Sequence, residues 1–68
     1  MDNIDVRKYI VSNFKDSDLE ELKSSIVDSV TSGDDDPLIG LGVLFEILWK
    51  NSTEDEQNII LNNIKKGM

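Results

Sequence analysis

The stretch GLGVLFEILW, residues 40–49, decides the fold of this 68-residue chain and contains its only Trp. The surrounding apolar residues recur at helical spacing and cover most of a helix circumference. One broad face carries Leu38, Leu41, Leu44, Phe45 and Leu48, and the flank carries Ile39, Val43 and Ile47. Only Glu46 and Lys50 are clearly polar. A helix that is apolar nearly all round is typically enclosed by its neighbours, so we expect a central third helix ending near Lys50 or Asn51.

Upstream of this stretch, the sequence predicts a second helix that begins at Ser17. Glu20 follows three residues later, which is the spacing of a capping box. The apolar stripe then consists of Leu19, Leu22, Ile26 and Val30. Gly33 fits the left-handed position that ends a helix. The loop that follows is Asp34-Asp35-Asp36-Pro37, in which we expect Asp36 to cap the third helix and Pro37 to be its first residue.

The sequence near each end of the chain predicts one further helix. The first runs from about Ile4 to Phe14, is capped by Asp2 or Asn3, and places Arg7 and Lys8 on its solvated side. The fourth begins at Ser52 or Thr53, and Glu56 completes a capping box with Thr53. Its apolar face is Ile60, Leu61 and Ile64, and Gly67 closes it. The predicted fold is therefore all-α: residues 1–68 form a single domain, a compact bundle of four short helices.

The charge balance limits the kinds of partner. The chain has 14 acidic and 7 basic residues, which gives a net charge of −7. Because affinity for nucleic acid depends on Lys and Arg neutralising phosphates, direct nucleic-acid binding is not expected. No apolar stretch approaches the ~20 residues that a membrane span needs, so no membrane association is expected either.

Signals for catalysis or cofactor binding are weak. The sequence contains no His and no Cys, which removes the commonest general base and the thiol nucleophile. Three consecutive acids, Asp34–Asp36, do not have the ligand spacing of a calcium loop, although they leave weak cation association open. Gly40 and Gly42 lack the third Gly of a phosphate-binding loop, and close helix packing explains them better. We therefore predict a non-enzymatic protein with no catalytic, cofactor-binding or metal-binding residues.

Two alternatives involve binding or attachment instead of catalysis. Asp16-Ser17 at a helix start is similar to the attachment site of an acyl-carrier protein, but Asp18 stands where that family has Leu. The third helix offers a candidate interaction surface made of Ile39, Val43, Ile47 and Trp49. Because so short a chain has difficulty covering this helix alone, a homodimer is one expected partner arrangement.

Three blocks of sequence resemble the small acid-soluble spore protein I family of endospore-forming bacteria. They are Val6-Arg7-Lys8-Tyr9-Ile10 through Asn13, then Ile26-Val27-Asp28-Ser29-Val30 through Gly33, and finally Gly40 to Trp49. The last block is close to the Gly-Leu-Gly-Val-Leu-Phe-Glu core of the family. Ile39 stands where the family has Pro, and Tyr9 replaces a small residue.

The resemblance implies a minor protein that is made during sporulation in the forespore cytoplasm and stored in the spore core. Its partner is then a second copy or an unidentified spore protein. The DNA-coating major spore proteins form a different family, and the acidity of this chain argues against a shared activity. The alternative function is an acidic helical protein-interaction module of growing cells.

Overall fold

The computed structural model describes residues 5–68, and within them the chain forms four α-helices joined by short turns. Helix α1 spans Val6–Phe14, α2 spans Leu19–Thr31, α3 spans Leu38–Lys50 and α4 spans Glu54–Lys66. This confirms the all-α, four-helix prediction. Helix α3 packs against both α1 and α2. None of the described helices is both long and apolar enough to cross a membrane.

The start of α1 differs from the prediction. Its N-cap is Asp5, whose carboxylate accepts a hydrogen bond of 3.1 Å from the backbone N–H of Lys8. Asp2, Asn3 and Ile4, the residues predicted for the cap and the first turn, lie outside the described residues. An Asp at this position satisfies one of the free N–H groups of the first turn.

The capping box of α2 is one residue later than predicted. The expectation of Ser17 with Glu20 is wrong, because Asp18 and Glu21 form the box, with hydrogen bonds of 2.8 and 3.0 Å. The backbone N–H of Ser17 instead donates to the carbonyl of Phe14 at 3.1 Å. Asp18 has the extended backbone angles of an N-cap, φ −81° and ψ 177°, and its side chain caps the helix.

The start of α3 also corrects a prediction. The N-cap is Pro37 and the helix begins at Leu38, whereas Asp36 was expected as the cap and Pro37 as the first residue. Pro37 already has helical backbone angles, φ −69° and ψ −10°, and no side chain caps this end. The N–H of Leu38 is satisfied by the carbonyl of Asp35 at 3.0 Å, so a backbone turn replaces the side-chain cap.

Other predicted helix ends are confirmed. Gly33 follows α2 with φ 74°, the left-handed conformation that an L-residue rarely adopts. Helix α3 ends at Lys50, and Thr53 with Glu56 forms the predicted capping box of α4, with hydrogen bonds of 2.7 and 3.2 Å. Gly67 caps α4, but with ordinary right-handed backbone angles.

Candidate interaction surface

The apolar third helix is only partly covered by the rest of the chain. Val43 is buried, with 9% of its surface exposed, and it is the one buried residue found between positions 5 and 68. Large apolar side chains elsewhere on α3 are open to solvent, including Leu38 at 57%, Phe45 at 41% and Leu48 at 49%. The expectation that neighbouring helices of the same chain enclose α3 is therefore wrong. Of the other described helices, only α1 and α2 make more than slight contact with α3, so part of its circumference stays open.

The four residues predicted as an interaction surface differ in their exposure to solvent. Val43 lies in the core, so its side chain contributes to packing within the chain. Ile39 is 63% exposed and Ile47 is 40% exposed. Trp49 is half-buried, and its ring centroid lies 6.0 Å from that of Phe45. Two of the four are thus open to a partner and one is partly so.

An apolar groove lies between α2 and α3. Its volume is about 430 Å³. Helix α2 contributes Leu22 and Ile26, and α3 contributes Leu41, Leu44, Phe45, Ile47 and Leu48. Its described lining residues are all apolar, so the groove suits an apolar partner surface and offers little to a charged ligand.

A smaller hollow of about 220 Å³ lies between α1, α2 and α3. Its lining mixes apolar residues such as Ile10 and Leu44 with the hydroxyls of Ser25 and Ser29. Gly40 lies at the same place, where a Cβ would be 3.7 Å from Cδ1 of Ile10. This is ordinary van der Waals contact, which agrees with helix packing as the role of Gly40.

An ion pair fixes α1 against α3 and was not predicted from the sequence. Nε and Nη2 of Arg7 donate to the two carboxylate oxygens of Glu46, at 2.7 and 3.0 Å. The hydrogen bond from Arg7 is the main cause that lowers the pKa of Glu46. Desolvation opposes it, and the positive charges of Arg7 and Lys50 lower the pKa further. The same bond and the charge of Glu46 raise the pKa of Arg7. Arg7 was expected to be solvated; it is exposed, but its charge is paired.

The ion pair also determines where negative charge lies on the surface of α3. Glu46 is the only acidic residue of α3. Its carboxylate is bound on the side facing α1, whereas the groove runs along α2. The apolar side of α3 therefore carries no carboxylate of its own helix.

Helix α4 is attached to α3 near Trp49. The side-chain amide of Gln57 donates to the backbone carbonyl of Trp49 at 3.0 Å in a partly buried position. Ile60 is half-buried, while Leu61 and Ile64 of the predicted apolar face are 50% and 41% exposed. Helix α4 thus covers part of the end of α3 and leaves the groove open.

No cluster of three or more potential metal ligands occurs within residues 5–68. Asp34, Asp35 and Asp36 are all exposed in the loop before α3. The fold and surface thus define a class: a small, acidic, all-α protein with an open apolar groove.

The class can be narrowed to a family by comparison with known proteins. The sequence profile of the family described as "Small, acid-soluble spore protein I" matches residues 4–68. Three proteins of that name, from Halalkalibacterium halodurans, Bacillus cytotoxicus and Bacillus subtilis, are 38%, 36% and 35% identical to this chain. Each alignment covers 97% of this chain and 97%, 94% and 93% of the respective relative. The chain belongs to the small, acid-soluble spore protein I family. No solved structure matches it.

Proposed function

We propose that this chain is a minor protein of the spore core, made during sporulation in the forespore and acting without catalysis. The observation that carries the proposal is the family match over residues 4–68, together with relatives named as spore proteins that align over 97% of the chain. The acidic composition, with a net charge of −7, suits a protein that remains soluble at high concentration.

The non-catalytic part of the proposal is supported by what the acidic side chains do. Asp5, Asp18, Glu21 and Glu56 take part in capping hydrogen bonds at the starts of their helices. Glu46 is engaged by Arg7. These carboxylates have structural partners, and the sequence contains no His or Cys to complete an acid–base or nucleophilic pair.

The physical contribution that we propose is solubility and protein contact in the dehydrated, ion-rich spore core. The acidic composition provides for solubility, and the apolar groove provides a surface for protein contact. A strain lacking the gene should then yield spores with altered heat resistance, ultraviolet resistance or germination. Unchanged values for all three would contradict a contribution of this kind.

The compartment is tested by immunofluorescence of sporulating cells of the source organism with antibodies raised against the full chain. We expect signal only in the forespore, beginning after the division septum forms. Signal throughout growing cells, and none in forespores, would overturn the proposal and favour the alternative of a protein-interaction module of growing cells. The strain lacking the gene serves as the antibody control.

A further inference from the structure

We propose that the groove between α2 and α3 is the centre of an interface with a second copy of this chain. The inference is independent of the spore-core function, because it rests on surface area, burial and charge alone. The groove is apolar along its described lining, and Phe45, Ile47 and Leu48 within it are each at least 40% exposed. Isolated apolar residues on a surface are common, whereas a contiguous groove of them marks an interaction site.

The solvent-accessible surface of the chain is larger than expected for its mass, which favours a partner as large as the chain itself. The accessible surface is 5896 Å² for a mass of 7.7 kDa. Folded monomers of that mass expose about 4,300 Å² on the general scaling of surface with mass. The excess is thus about 1,600 Å². Obligate dimers bury roughly 1,000–2,500 Å² from each subunit, so one subunit of this size would cover the excess.

A second copy need not cover the whole excess, because half of it already equals the ~800 Å² that each partner buries in a standard interface. Burial inside the chain agrees, because Val43 is the one buried residue in the described part. A small chain without disulfides needs additional burial, and association between subunits is a common source of it.

The distribution of charge is compatible with a second copy as the occupant. A two-fold interface brings the same patch of both subunits together, so any charge in the patch would meet its own copy. With a net charge of −7, most surfaces of this chain repel a second copy. The groove is the exception, because its described lining is uncharged and Glu46 is bound to Arg7 on the side facing α1. Two copies can therefore meet there without burying like charges.

The test is sedimentation equilibrium of the full chain from about 1 μM to about 500 μM, a range in which mass action separates monomer from dimer. We expect a mass of twice 7.7 kDa at the upper end. Because salt screens the repulsion between acidic subunits, the dimer should tighten between about 20 mM and about 500 mM salt. A monomer at every concentration and salt would overturn the proposal.

A matched pair of variants locates the interface. Leu48 lies in the groove at 49% exposure, and Leu61 lies on α4 at 50% exposure. Leu48→Ala should raise the dimer dissociation constant about tenfold, and Leu48→Glu should abolish the dimer at all concentrations used. Leu61→Ala and Leu61→Glu should leave the constant within about twofold. If the Leu61 substitutions weakened the dimer more than the Leu48 substitutions, the interface would lie on α4 and not in the groove.

A second measurement covers the case in which Leu48→Glu fails to fold. The urea midpoint of the wild-type chain and of Leu61→Glu should rise with protein concentration, as expected when unfolding is coupled to dissociation. The milder Leu48→Ala should lower the midpoint at every concentration. A wild-type midpoint that does not depend on concentration would contradict the dimer, whatever the fate of Leu48→Glu.

Discussion

The guanidinium of Arg7 in α1 donates two hydrogen bonds to the carboxylate of Glu46 in α3, 39 residues away in the sequence. The pair joins two helices that otherwise meet through apolar contacts near Ile10 and Gly40. It also places the only carboxylate of α3 away from the groove beside α2. This interaction therefore links α1 to α3 and holds the carboxylate of Glu46 on the side of α3 away from the groove.

Lowering the pH should weaken the ion pair between Arg7 and Glu46. The pKa of Glu46 is lowered in the folded chain, so its contribution to stability is present above its unfolded pKa and is lost as the pH falls through the folded value. As the pH falls from neutral through the folded pKa of Glu46, the difference in urea midpoint between the wild type and Glu46→Gln should therefore disappear. In an Arg7→Gln background, Glu46→Gln should change the pH profile much less. An equal change in both backgrounds would show that the pair does not set the pKa.

The register of the α2 cap can be tested with two alanine substitutions. Asp18→Ala removes the side chain that accepts from the N–H of Glu21, so it should lower the unfolding free energy by about 1 kcal/mol. Ser17→Ala leaves that bond intact and should change it by less than about 0.5 kcal/mol. Urea unfolding at one protein concentration measures both. A larger loss for Ser17→Ala would mean that the capping box begins at Ser17.

Two glycines should respond to alanine with opposite signs. Gly33 has φ 74°, so Gly33→Ala should cost about 1–2 kcal/mol of folding free energy. Gly42 lies inside α3, and a Cβ there would meet no atom within 4 Å. Gly42→Ala should therefore stabilise the chain by about 0.5–1 kcal/mol through helix propensity. Thermal unfolding followed by circular dichroism measures both, and destabilisation by Gly42→Ala would show that this position is covered.

The core and the surface of α3 can be separated with another pair. Val43 is 9% exposed, and Val43→Ala should lower the unfolding free energy by about 1–2.5 kcal/mol, because buried methyl groups are lost and a cavity remains. Ile39 is 63% exposed, and Ile39→Ala should change it by less than about 0.5 kcal/mol. Urea unfolding at matched protein concentration measures the change in unfolding free energy for both variants. Similar losses at both positions would mean that Ile39 is covered.

Much of the fold follows from local sequence patterns. Helix type and most boundaries depend on apolar spacing and end signals within a few residues, and for this reason Gly33 and the Thr53–Glu56 box were predictable. The same locality explains the error at α2. The sequence Asp16-Ser17-Asp18-Leu19-Glu20-Glu21 contains two overlapping capping boxes. Their local patterns are alike, and the structure forms the one made of Asp18 and Glu21.

The candidate surface was harder to predict, because it depends on contacts between distant residues. The pairing of Arg7 with Glu46 has no local signal. The apolar character of α3 indicated that it needs covering, but not whether the cover comes from this chain or another. Val43 and Ile39 are both β-branched apolar residues of α3, and only the three-dimensional packing shows that one is buried and the other is open.

Mass spectrometry can establish whether this member of the small, acid-soluble spore protein I family is stored in the spore core, as we propose. Acid extracts of purified, decoated spores are compared with extracts of growing cells of the source organism. We expect peptides of this chain in the spore extract and none in growing cells. Peptides found in growing cells and not in spores would show that the protein is not stored in the spore core.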